Sequence, residues 1–192
     1  RDWSSDVCSS DLVCDSVAEL HARTQAKLVI VTVVELAMSE VSRACFEFPW
    51  TVLLEKPPGY HLEDALAIQA AAQARGRAVL VALNRRHLSS TRAALADLQA
   101  NASPRYIRVQ DQEDLVAARA MGQPEEVLRH WMFANSIHLI DYLRMFGRGA
   151  ITRVTPVVRW NPAAPGWVLA KVEFSSGDLG VRSEEHTSEL QS

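Results

Sequence analysis

Three short runs of aliphatic and β-branched residues constrain this chain more than any other feature: residues 27–34 (KLVIVTVV), 51–55 (TVLLE) and 78–83 (AVLVAL). Each is nearly continuous in apolar character instead of alternating, as in strands buried on both faces of a parallel sheet. Between them lie helix-length segments at residues 35–48 and 62–75. The second has Glu63 and Asp64 in its first turn and Gly76 just past its last, which suits the helix dipole and a glycine stop. Strand, helix, strand, helix, strand with short links makes two crossovers and predicts an α/β doubly wound sheet. Residues 17–24 read as the tail of an earlier helix.

The rhythm changes after Asn84. Residues 89–100 read as a helix with Ser89 or Ser90 as its cap and Leu95 and Leu98 turned inward, broken by residues 101–104. A strand at 106–110, a short helix at 124–130 and a firmer helix at 136–146, closed by Gly147, follow. Strands at 151–160 and 168–175 come last, joined by a turn region at 161–166. In the final one Val168, Ala170, Val172 and Phe174 alternate with Leu169, Lys171, Glu173 and Ser175, the half-buried pattern of an antiparallel sheet. A second, α+β domain is therefore expected from residue 87.

The two ends stand apart from this pattern. DWSSDVCSSDL at 2–12 and RSEEHTSELQS at 182–192 look unrelated as peptides, yet they can be written as opposite strands of one oligonucleotide that looks like a sequencing-library adapter. Residues 1–12 and 182–192 are accordingly expected to be scars, leaving 13–86 as part of the doubly wound domain and 87–181 as part of the second. A chain so bounded should expose sheet edges, and is expected to aggregate or to lose ligand binding when expressed alone.

The formal charge of −3 over 192 residues comes from those ends; without them eighteen basic residues face seventeen acidic ones. No basic block suggests nucleic acid or anionic lipid, and the apolar runs are too short for a membrane span. Cys14 and Cys45 lack metal-ligand spacing and read as reduced thiols of a cytoplasmic protein. His21, His87 and His130 have no partner spacing that suggests a metal.

Parallel sheets bind ligands at the carboxyl ends of their strands. The exits here are residues 32–35, then Glu55-Lys56-Pro57-Pro58-Gly59, then Asn84-Arg85-Arg86-His87. Between the two ends the chain uses fifteen arginines and three lysines, so a lysine at such an exit suggests a need for a compact amine whose pKa can move. Pro57-Pro58-Gly59 would stiffen the turn and orient Lys56. The alternative is that Glu55 and Lys56 are a surface ion pair capping a strand. Arg85 and Arg86 read equally as solvated charges or as a clamp on an anionic substrate.

Strand, Glu-Lys-Pro, helix, strand, Asn-Arg-Arg, and later a helix carrying His-x-x-Asp (His138, Asp141) resembles the Gfo/Idh/MocA family of NAD(P)-dependent oxidoreductases over residues 15–181. The resemblance implies a truncated Rossmann-type parallel sheet followed by a truncated α+β domain with an open antiparallel sheet. It also implies NAD or NADP as cofactor, a sugar, cyclitol or nucleotide sugar as substrate, and a homo-oligomer formed through the second sheet. Lys56 and His138 would then be the catalytic pair, with His138 exchanging the alcohol proton. Thr32, Glu55, Pro57 and Asn84 would approach the cofactor, and Arg85, Asn135 and Asp141 the substrate. Without the resemblance, His138 reads more readily as a histidine hydrogen-bonded into the domain junction than as an acid/base.

The sequence departs from the family pattern in four ways. Val33 and Ala37 stand where the family usually has a proline and a histidine. Ala134 stands where many members have an aspartate four residues before the histidine. No glycine precedes Gly59, so the G-x-G-x-x-G fingerprint is missing. An NAD-dependent glycosidase of the same fold and a non-catalytic binding module therefore stay open.

Overall fold

A computed structural model describes residues 12–161, 163 and 166–185. Two sheets organise them. The first contains β1 (Leu28–Val31), β2 (Thr51–Leu54) and β3 (Val79–Val81), all parallel, with β2 central. Its crossovers are α2 (Met38–Phe46), entered through a 3-10 turn at Glu35–Ala37, and α3 (Leu62–Ala74); α1 (Val17–Arg23) precedes β1. Far from trailing an earlier helix, α1 opens on its own cap, with Ser16 Oγ accepting from the Glu19 amide at 3.1 Å.

Alternation along the strands decides where the core sits. Val31, Val52 and Leu54 point to one side and pack with Met38 and Phe46 of α2 and Ile68 and Ala72 of α3. Leu28, Ile30 and Leu80 occupy the alternate positions and are at least half exposed. Burial on both faces, which the continuous apolar runs suggest, is realised on one face among the described residues.

The second sheet has the order β4-β7-β6-β5, with β4 (Tyr106–Gln112), β5 (Ile151–Val158), β6 (Trp167–Phe174) and β7 (Leu179–Glu185). Strands β5 and β6 pair antiparallel as expected; β7, which the sequence reading did not include, pairs antiparallel with β6 and in parallel with β4, so the sheet is mixed. A parallel neighbour requires a long connection, and the helices between β4 and β5 provide part of it. These are α5 (Leu115–Ala120), α6 (Glu125–Leu128), α7 (Trp131–Ala134) and α8 (Ile137–Phe146); α4 (Ser89–Gln99) comes before β4. Neither Ser89 nor Ser90 caps α4, because the helix starts one residue earlier than the serines require, with Leu88 in the cap position. Leu95 and Leu98 are half-buried, and Thr91 is its buried residue.

Helix α8 lies on the second sheet through Leu143, which packs with Val109, Val172 and Phe174, while α5 to α7 bury a separate cluster around Val127, Leu128 and Trp131. β7 runs past the boundary drawn at residue 181, as far as Glu185. A ladder needs only backbone groups, so side-chain type does not stop it. The extension turns Arg182 and Glu184 toward the buried face opposite Ala170 and Val168, where they pair with each other. The rest of the two ends, and turn positions 162, 164 and 165, lie outside the described residues. Among the described residues, no helix is long and apolar enough to cross a membrane.

Candidate active site

The register of the first sheet brings the three strand exits to one edge. The Glu55 amide donates to the Val31 carbonyl and the Ala82 amide to the Leu54 carbonyl, each at 2.8 Å. Thr32 follows β1 directly and is exposed; Asn84 opens the 3-10 turn Asn84–His87 after β3 and is exposed too. Glu55 and Lys56, between them, are half-buried. Glu55 bends back on its own turn, its Oε2 accepting from the Lys56 amide at 2.5 Å.

The turn carrying Lys56 is held from both sides. The Lys56-Pro57 bond is cis and Pro57 is fully buried. Gly59 lies so close to the start of α3 that a Cβ there would meet the Ala65 nitrogen at 2.7 Å and Asp64 Oδ2 at 2.8 Å. His61 caps α3, its Nδ1 accepting from the Asp64 amide at 3.0 Å. Tyr60 packs against the α5 to α7 cluster and donates its hydroxyl to Glu126 at 2.5 Å. So anchored, Lys56 extends to the carbonyl of Ala134 at 3.4 Å, at the last residue of α7. The backbone of Ala134 thus supplies an acceptor where the family pattern places a carboxylate.

Four residues on, His138 lies in the first half of α8, one turn before Asp141, and both are buried. Both oxygens of Asp141 accept from Arg86, one from Nε at 2.6 Å and the other from Nη2, which ties the exit of β3 to α8. The Asp141 carboxylate in turn raises the Arg86 pKa. His138 Nδ1 is buried without a hydrogen-bond partner. Burial pushes the His138 imidazole below its ordinary pKa, and the charges of Arg85 and Lys56 push it the same way against Glu55 and Asp141. The imidazole is therefore neutral near pH 7, with a lone pair able to take a proton.

The structure thus gathers Lys56, His138, Arg85, Arg86, Asp141 and Glu55 around the junction of the parallel sheet's carboxyl edge with α8. Thr32 and Asn84 sit on the adjoining rim. Asn135 is engaged elsewhere: its amide nitrogen donates to both oxygens of Glu113 at 2.8 and 2.7 Å, beside Trp131 Nε1 at 3.1 Å. Glu113 lies in a loop after β4 and has no motif that sequence reasoning could seize. Tyr60, His61 and His130 form a ring cluster near the turn, with the two imidazoles 5.4 Å apart, and local spacing gives no hint of it. Among the described residues, no group of three or more His, Cys, Asp or Glu side chains is placed to hold a metal.

The arrangement fits the nicotinamide end of a dinucleotide. It offers a polar edge on a parallel sheet and a buried imidazole nitrogen that lacks a protein partner. The glycine-rich turn that would cradle a pyrophosphate is not part of this chain.

No protein-family model matches the chain, and no curated protein matches it. Solved structures do. A dehydrogenase from Chromobacterium violaceum superposes with a TM-score of 0.72 at 20% identity, over 94% of this chain and 53% of that one. Myo-inositol 2-dehydrogenase from Lactobacillus plantarum gives 0.67 at 12% identity, over 91% and 56%. Levoglucosan dehydrogenase, in complex with NADH and levoglucosan, gives 0.64 at 18% identity, over 86% and 49%. The chain spans about half the length of these structures, and at such identities the likeness establishes the fold. That fold is the one implied by the Glu-Lys-Pro, Asn-Arg-Arg and His-x-x-Asp signatures.

Proposed function

We propose that this chain belongs to an NAD(P)-dependent oxidoreductase of the Gfo/Idh/MocA family that oxidises a hydroxyl on a sugar or cyclitol. The observation that supports this best is that Lys56, on the turn after β2, reaches the Ala134 carbonyl just before α8, the helix that carries His138, and that its charge is felt by that imidazole although the two residues lie far apart along the chain. A turn fastened on both sides and an imidazole held neutral make a poor surface ion pair but a serviceable proton site. The solved dehydrogenases of the same fold, including one bound to NADH and a sugar, support the cofactor and the substrate class. NAD and NADP are both compatible with these residues.

A bound nicotinamide would supply the hydride acceptor. Thr32, Glu55, Pro57 and Asn84 would hold its end at the sheet edge. The Lys56 amine hydrogen-bonds the reacting hydroxyl and stabilises negative charge as it develops on that oxygen. The His138 imidazole takes the hydroxyl proton, so carbinol becomes carbonyl as hydride leaves the carbon and the proton leaves the oxygen. Arg86 fixes Asp141 and with it the face of α8 that carries His138, so Asp141 acts by positioning His138 and not by touching the substrate.

The test is NAD(P)H formation by the full-length gene product with candidate sugars and cyclitols. Wild-type protein is expected to give net reduced cofactor, and Lys56→Ala to lower kcat by a factor of about 10² or more, of the size usual for a general acid-base or charge-stabilising group, while its melting temperature stays close to wild type. Glycoside cleavage without net cofactor reduction would favour the glycosidase, and neither activity the binding module.

A further inference from the structure

Helices α7 and α8 are joined by two residues, Asn135 and Ser136, and both turn to a single carboxylate. Glu113 accepts from the Asn135 side-chain amide at both of its oxygens, 2.8 and 2.7 Å away, and from Trp131 Nε1 on α7 at 3.1 Å. The Ser136 hydroxyl lies 3.4 Å from the same carboxylate. Trp131 and Ser136 are buried, so their donors depend on this one acceptor. An ionised carboxylate only accepts, and its bonds to N–H and O–H groups are stronger than those between neutral partners. Glu113 is itself held by the second sheet. It follows β4 directly, and its amide donates to the carbonyl of Glu185, the last residue of β7, at 2.8 Å.

The joint has part of the candidate site at each end. Ala134, immediately before it, offers its carbonyl to Lys56 at 3.4 Å, and His138 is the second residue of the helix that follows. One tie, from Arg86 to Asp141, would leave α8 free to pivot; the tie at its entry removes that freedom. Resting on the dehydrogenase reading above, we propose that Glu113 is a positioning residue for that reaction: by holding the Asn135-Ser136 joint it sets both the Ala134 carbonyl that Lys56 reaches and the direction in which α8 presents His138. Glu113 acts through these groups and touches neither substrate nor cofactor. Without its carboxylate the Trp131 and Ser136 donors would be buried unsatisfied, a cost that the joint relieves by opening to water.

The experiment takes the full-length protein with the sugar or cyclitol that it oxidises best and measures kcat, the cofactor KM and the acid limb of kcat/KM. Independently of turnover, it follows modification of His138 by diethylpyrocarbonate, with exposed His87 as internal reference. Glu113→Ala should lower kcat by a factor of about 10 to 100, the size of a misplacement remote from the chemistry, with the cofactor KM near wild type. Its acid limb should move up toward pH ~6.5 as water reaches the imidazole, and His138 should be modified faster relative to His87. Glu113→Gln, which keeps one acceptor oxygen, should show the same changes in smaller measure, and it carries the comparison alone if the alanine variant does not fold. Arg148→Ala, which breaks the Asp178 pair in the second domain, should lose stability with the limb and the His138 modification rate unmoved. A Glu113→Ala protein with wild-type kcat and limb, or the same changes in Arg148→Ala, overturns the proposal. If no sugar or cyclitol is oxidised with either cofactor, the modification rate still decides. Faster reaction at His138 in the Glu113 variants alone sustains the joint while the dehydrogenase reading falls, and an unchanged rate overturns the joint itself.

Discussion

His138 is buried and unsatisfied at Nδ1, and His130 is held below its ordinary pKa by burial and then by the neighbouring charge of His61. The direction of both shifts has a consequence for stability. A folded imidazole that releases its proton at lower pH than the unfolded one leaves the unfolded chain with more protons between the two values, so stability rises with pH there. The contribution is complete above the unfolded value of roughly 6.5 and is lost as pH falls through the folded values. Thermal melting followed between about pH 5 and 7.5 is therefore expected to show Tm climbing and then levelling, with a shallower climb in His130→Gln. The same shift bears on catalysis. The acid limb of kcat/KM for alcohol oxidation should lie below pH ~6.5 and should vanish in His138→Gln, along with most of the rate. An unchanged limb in that variant would remove His138 from the proton path.

The Lys56 turn shows how an element gains its direction from its neighbours. Gly59 is needed there because the first turn of α3 approaches too closely for a Cβ. Gly59→Ala forces backbone against backbone, and the cost expected for such overpacking is about 1–3 kcal/mol. Denaturant unfolding should show that loss, and kcat should fall with it because the Lys56 turn must shift. A variant with wild-type stability and activity would mean that the turn is looser than drawn. The loops beside the second sheet depend on Asp178 in a comparable way. Its buried carboxylate accepts from the Arg148 side chain and from the Arg105 and Arg148 amides, at 2.8 and 2.9 Å, and Arg148 chiefly holds its pKa far below the usual carboxylate range. Such a lowered acid supplies stability above its unfolded value and loses it as pH falls. Asp178→Asn should flatten the acid side of the stability profile.

At the scale of the molecule, the Arg86–Asp141 pair joins the parallel sheet's edge to the helix lying on the second sheet. Arg86 remains 43% exposed while Asp141 is 7% exposed, so solvent screens one partner and the pair falls between an exposed and a buried bridge. Asp141→Asn is expected to cost about 1–2 kcal/mol and to raise KM as α8 loosens against the rim. The exposed row of Leu28, Ile30 and Leu80 makes a second prediction. A parallel sheet with one apolar face in water should drive self-association of the 192-residue chain. Sedimentation velocity should show mass growing with concentration, and Ile30→Lys with Leu80→Lys should reduce it. A monodisperse monomer of the unmodified chain would contradict this.

The apolar runs at residues 27–34, 51–55 and 78–83 determined by themselves that a parallel sheet forms. Strand preference runs through all three, although burial follows on one face only, and the strand ends then fall where Lys56 and Asn84 stand. The single helix expected at 35–48 became a 3-10 turn and a shorter helix, and α5 and α7 escaped notice, since four to six residues are too few to display a helical period. Only the tertiary structure decided that β4 joins the second sheet in parallel, that Asn135 serves Glu113, and that Asp141 serves Arg86. Those outcomes depend on which groups meet across tens of residues. Local pattern fixes what a segment prefers to be, whereas the pairing of one buried charge with another is settled by where packing leaves each of them.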